Sequence, residues 1–320
     1  MTRATEIKKA RQQAAPAKRE PRFPRGLLFL AIVGVVGLLA AGGLLWSSSG
    51  EDAEETFTGV PFADPGPIHV HGLGINPADG ALFIASHTGL FRVGAASRKA
   101  VRVADRKQDT MGFSVVGPNR FIGSGHPDLN EAQEKGLPPL LGLIESTDAG
   151  STWNSVSLLG EADFHVLRSI GERVYGYDAT NARLLTSPDR GVTWENIVPP
   201  GPVVDLAVDP ADPRRLAVTA AGELEQGLYT SPDSGESWTR LADVVGLLAW
   251  PSSGRLYAVD GAGQVFASAS GGRKLEFRGE IGGEPAALLG VRDELFVALH
   301  DGTIKRSADG GRAWTVWSTP

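Results

Sequence analysis

The chain has 320 residues with 41 glycines, 21 prolines and no cysteine, a turn-rich composition that excludes disulfides, thiolate metal ligands, a cysteine nucleophile and a lipid-modified cysteine. With 42% apolar and 21% charged residues it can bury a core as one or two domains, and that balance argues against disorder over most of its length. The net charge of −6 is unevenly spread: residues 1–25 carry eight Lys or Arg against Glu6 and Glu20, so the remainder is strongly acidic, and an acidic body argues against nucleic acid as partner.

Taken in chain order, residues 1–25 are a basic segment expected in the cytoplasm. Gly26 to Trp46 is a run of 21 residues without a charge. As a helix it spans ~31 Å, about one hydrocarbon core. A basic flank before it and Glu51, Asp52, Glu54 and Glu55 after it predict a single-pass membrane span with the N-terminus in the cytoplasm and the rest of the chain outside. A cleaved signal peptide is the competing reading, but its apolar region usually runs only ~7 to 15 residues, so an uncleaved signal anchor over 26–46 is favoured. Residues 47–66, with a Ser-rich and acidic start and then Pro-Gly-Pro, read as a polar tether.

Beyond the tether the sequence repeats. Ser146-Thr-Asp148-Ala-Gly150-Ser-Thr152-Trp153 is matched by segments beginning at Ser187, Ser231 and Ser307, and a decayed copy begins at Ser268 and keeps Gly272. Successive serines are 41, 44, 37 and 39 residues apart, the length of one four-stranded propeller blade. The pattern resembles the Asp-box, or BNR repeat, of sialidase-like β-propellers. In each copy the Asp can accept bonds from turn amides, the Gly can take positive φ and the Trp can pack between blades, so the aspartates of the boxes read as structural rather than catalytic. Residues 203–210, 215–220, 227–231 and 237–241 give four short strands, and residues 69–93 share the same plan without a box. Units start near residues 69, 109, 164, 203, 245 and 284. The expected architecture is therefore all-β: a six-bladed propeller over 67–320 with Asp-box turns, its closing strand unspecified.

Further residues carry the resemblance beyond the fold. His69-Val-His71-Gly-Leu, Ser86-His87-Thr-Gly-Leu-Phe, Gly125-His126-Pro, Asp163-Phe-His165 and Val174-Tyr-Gly-Tyr-Asp178 are similar to a bacterial family of exported glycosylhydrolase-like Asp-box proteins. That family's name implies glycoside hydrolysis, although fold alone does not carry function. A sialidase would need an Arg-Ile-Pro type motif near the propeller start, and none occurs. The catalytic candidates are Asp109, Asp163 and Asp178, with Tyr177 as a nucleophile beside Asp178; Asp205 and Asp260 are further carboxylates, and a glycosidase pair among these would be recognised by its separation.

The six histidines are His69, His71, His87, His126, His165 and His300, and all map to first-strand starts or second-strand ends, hence to one face. Strand alternation aims His69 and His71 together, ~6 to 7 Å apart. His69, His71, His87, His126 and His165 are the candidate metal ligands, with His300 beside them; imidazole with carboxylate and no thiolate suits Zn²⁺ or Cu²⁺. The longest inter-strand insertion, Pro127 to Leu140, is expected on the same face as a lid or a partner contact. Two functions fit these features: a membrane-anchored extracytoplasmic binding or assembly module for a protein or saccharide ligand, or a glycoside hydrolase that is not a true sialidase.

Overall fold

A computed structural model describes residues 64–94, 96–222, 226–268 and 274–320. The basic segment, the apolar run over 26–46 and residues 47–63 of the tether lie outside the described residues.

Short apolar runs, each bounded by turn residues, pair with their sequence neighbours. The result is six four-stranded antiparallel sheets: blade 1 (70–102), blade 2 (109–157), blade 3 (164–197), blade 4 (203–242), blade 5 (246–280) and blade 6 (285–318). Their innermost strands begin at Val70, Asp109, Phe164, Val203, Gly246 and Pro285, within a residue or so of the repeat register in the sequence. Neighbouring innermost strands pack side by side around a common axis.

The core lies between blades rather than inside any one of them, because a twisted sheet buries both faces only when flanked on both sides. Phe83 of blade 1 stacks edge-on against Phe121 of blade 2 with ring centroids 4.7 Å apart. The ring closes in the same way. Val70, Ile84 and Phe91 of blade 1 share one cluster with Ala287, Phe296 and Ile304 of blade 6. Ser318 Oγ donates to the Arg98 carbonyl at 2.7 Å. Every blade keeps four consecutive strands, so closure rests on packing and not on an exchanged strand.

The four intact boxes form one repeated hairpin turn between the third and fourth strands of blades 2, 3, 4 and 6. In blade 3, Ser187 Oγ donates to Asp189 Oδ1 at 2.7 Å, the Thr193 amide donates to the same oxygen at 2.8 Å, and the Gly191 amide donates to Ser187 Oγ at 2.7 Å. The residue after each Asp is left-handed, as at Arg190 (φ 61°), and Gly191 comes next at φ 88°. A Cβ at Gly191 would stand 2.0 Å from Leu143 of the preceding blade, so the glycine is required by packing as well as by backbone. Trp194 then stacks on Phe164 at 4.9 Å.

In an antiparallel meander the start of the first strand and the end of the second lie at one end of the sheet. The hairpin between strands three and four lies at the other. The boxes therefore occupy one face of the ring and the histidine positions the opposite face.

Candidate functional site

The mouth of the central channel is assembled from paired strand ends: Val70 opposes Ser86, Asp109 opposes His126 and Phe164 opposes Asp178. At that end, five of the six innermost strands carry one extra residue against the partner strand. The unpaired residues are His71, Met111, His165, Val204 and Ala286; blade 5 pairs without a slip. A bulge re-aims a side chain that strict alternation would place elsewhere. All five bulged residues line the central channel, whose volume is about 540 Å³.

The bulge changes the expected geometry of the His-Val-His segment. His69 precedes the strand at φ 52° and His71 is the bulged residue, so the two do not share a face by simple alternation. The His69 ring instead meets His87 edge-on at 6.3 Å.

Asp109 is the pivot. It opens blade 2, and its carboxylate receives two histidines from blade 1: His87 Nδ1 lies 2.8 Å from Oδ2 and His71 Nε2 lies 3.8 Å from Oδ1. The longer separation is not a hydrogen bond. His71 Nε2 and Asp109 Oδ1 are both buried and both lack a hydrogen-bond partner. Burial, reinforced by the charges of His165, His87 and His69 and opposed by Asp163, lowers the His71 pKa from 6.5 to about 4. His71 is therefore a neutral imidazole at pH 7. Burial also holds Asp109 above the ordinary carboxylate range, with His87 and His126 opposing and Asp163 adding to the shift.

A second cluster repeats the plan one blade on. Asp163 lies just before the innermost strand of blade 3, and its Oδ2 is 2.9 Å from His165 Nε2 and 3.7 Å from His126 Nε2. His126 Nδ1 lies 2.9 Å from the Pro139 carbonyl. A carbonyl only accepts, so Nδ1 carries a proton. Asp163 Oδ1 is buried without a partner.

Other candidates are placed elsewhere. The Asp178 carboxylate is fully buried and occupied by Arg183 Nη2 at 2.7 Å, Arg183 Nε at 3.0 Å and Asn181 Nδ2 at 2.8 Å, while it also accepts from the Asp163 amide at 3.2 Å. It holds a loop and presents no free oxygen to substrate. Tyr177 is buried in the core between blades 3 and 4, and burial raises its pKa. That removes it from the role of nucleophile. Asp205 is buried against Arg168 at 2.7 Å and accepts from the Leu248 amide at 2.8 Å. Asp260 caps its own turn through the Gln264 amide at 2.8 Å. His300 stands 4.0 Å from Glu284 of its own blade and joins neither cluster by a described contact.

The insertion after His126 contains one helix, α1 (Leu129–Lys135), with no buried residue. Asp128 caps it and also accepts from the Lys107 amide at 3.0 Å, so the insertion is moored to the connection that leads into Asp109. Residue type alone does not mark Met111 as part of the mouth; its position two residues after Asp109, as His165 stands two after Asp163 and His71 two after His69, is the signal that could have found it.

One ligand atom from each of His71, His87 and Asp109 lies within 4.8 Å of the others, a donor set that could hold a metal ion. Two ligand atoms on a tetrahedral ion at about 2.0–2.2 Å stand roughly 3.4 Å apart, so the 3.8 Å gap would close by a few tenths of an ångström.

No protein-family model matches the chain. A xyloglucanase from Paenibacillus sp is 29% identical over 165 residues, covering 47% of this chain and 15% of that protein. The dispase autolysis-inducing protein of Streptomyces mobaraensis is 34% identical over 99 residues, covering 31% of this chain and 25% of its own length. The chain thus spans a quarter or less of these curated relatives. A chain of a nidogen/laminin complex superposes with a TM-score of 0.57 at 14% identity, over 75% of this chain and 93% of that one. That likeness is one of fold.

Proposed function

We propose that this protein is an extracytoplasmic binding propeller whose channel mouth takes up Zn²⁺ or Cu²⁺ on His71, His87 and Asp109. His69, His126, Asp163 and His165 surround that ion and present it to a protein or saccharide ligand at the opening. The observation that carries this reading is the pair of buried, unpartnered atoms facing each other, His71 Nε2 and Asp109 Oδ1 at 3.8 Å. A buried polar atom without a partner is costly, and a metal bridging both would relieve the cost. A neutral His71 is already in its ligating form at pH 7. Membrane attachment through 26–46, with the propeller outside, is supported by the charge asymmetry around the apolar run. The four like-built box turns support placing the chain among the Asp-box propellers.

The test is calorimetric titration of metal-stripped, full-length protein in detergent near neutral pH. Zn²⁺ should bind near one equivalent and raise the melting temperature. His71→Ala and Asp109→Asn should each remove most of that effect, and His300→Ala should leave it intact. No saturable uptake by the wild-type protein would overturn the site.

Glycoside hydrolysis is the second reading, favoured by Asp109, a carboxyl group held above its ordinary range at the channel mouth, and by the xyloglucanase similarity. Release of a chromogenic aglycone that Asp109→Asn abolishes, with metal removed, would establish it.

A further inference from the structure

The bulged residues form a row. In blades 1, 2 and 3 the extra residue at equivalent register is His71, Met111 and His165, and all three line the channel. The strands that carry them are neighbours in the ring. Blade 2 lies between the other two, so the strand that carries Met111 packs against both the strand that carries His71 and the strand that carries His165. The residue that blade 2 contributes at that position is Met111. It is one of two methionines in the sequence, the other being residue 1. The remaining bulges carry Val204 and Ala286, which have no donor atom, so the donor row stops after three blades.

The donor set is two imidazoles and one thioether. Zn²⁺ is bound in proteins by imidazole, carboxylate or thiolate, whereas a neutral, polarisable thioether selects Cu(I). A Leu or Val at this partly buried position would line the channel equally well without offering sulfur. We propose that His71, Met111 and His165 form a Cu(I)-binding row on the channel wall, which shares His71 with the His71, His87 and Asp109 group and rests on the reading that this mouth takes up metal. The carboxylate group of the mouth suits the harder divalent ion, and the bulge row suits the reduced, softer one.

The experiment uses full-length, metal-free protein under anaerobic conditions, with Cu(I) delivered against the chromogenic chelator bicinchoninate and Zn²⁺ titrated in parallel. Wild-type protein should withdraw one equivalent of Cu(I), and X-ray absorption should show a sulfur scatterer on the copper. Met111→Leu conserves volume, so the metal-free variant should melt as the wild type does. It should bind Cu(I) at least tenfold more weakly, lose the sulfur scatterer and keep its Zn²⁺ affinity within twofold. Zn²⁺ uptake without Cu(I) uptake, or bound Cu(I) with no sulfur scatterer in the wild type, would overturn the row and leave the mouth site standing. Uptake of neither metal would overturn both.

Discussion

Asp109 and Asp178 show how neighbouring blades give the same side chain opposite duties. Asp109 keeps one oxygen for His87 and leaves the other unpartnered beside His71. Asp178 spends its acceptor capacity on Arg183, Asn181 and the Asp163 amide. Breaking a buried ion pair by deleting one partner commonly costs about 3–5 kcal/mol, because the remaining charge is left uncompensated. Arg183 is partly exposed, so Asp178→Ala should destabilise the domain by about 2–3 kcal/mol in urea unfolding and leave Zn²⁺ affinity unchanged. Unchanged stability together with loss of a hydrolytic activity would instead return Asp178 to the catalytic residues.

The box turn is the element that recurs, and its hydrogen bonds make it sensitive to acid. The Thr193 amide and hydroxyl and then Ser187 lower the Asp189 pKa from 3.8 to about 2, and Asp148, Asp233 and Asp309 are lowered as well. The folded state therefore binds these protons less readily than the unfolded chain. The stabilisation from Asp189 is present in full above pH 3.8 and is lost as pH falls through about 2, and that of the other three is lost in the same direction below pH 3.8. Asp189→Asn should lower the melting temperature at pH 6, and the difference from wild type should shrink toward nothing by pH 2. Trp194 stacks on Phe164 and is only partly buried, so Trp194→Ala should cost about 3 kcal/mol in urea unfolding while the folded fraction still binds metal at the opposite face. Loss of metal binding at full stability would contradict the separation of the two faces. Helix α1 is moored through Asp128 and the Arg106 to Glu131 pair to the connection that leads into blade 2.

For the whole molecule, closure by packing of blade 6 on blade 1 makes the channel mouth a property of the complete ring. The candidate ligand atoms of His71, His87 and Asp109 come from blades 1 and 2, and neither of these blades alone holds the set. Metal uptake should accordingly be lost together with tertiary structure, which parallel titration of urea-unfolded protein would check. Orientation in the membrane is a second prediction at this scale. Protease added to intact cells should digest the propeller or its tether and spare an N-terminal epitope. Protection of the C-terminal domain in such cells would reverse the topology.

Repeat spacing in the sequence determined the number of blades, their starts within a residue or so, and the face on which the histidines lie, because each blade is a local meander whose strands pair with their neighbours in the chain. The box residues were legible for the same reason: Ser187, Asp189, Gly191 and Thr193 bond to one another within a single turn. Partnership across blades was not legible. Asp178 and Asp109 look alike in sequence, yet Arg183 reaches Asp178 across a hairpin of its own blade, whereas only the packing of blade 1 on blade 2 sets His71 beside Asp109. The bulges were not legible either, since an extra residue in one strand is defined only against its partner, and a slip of one residue redirects a side chain. His71, Met111 and His165 face the channel because of that slip, and only the closed ring of six sheets brings them into one row.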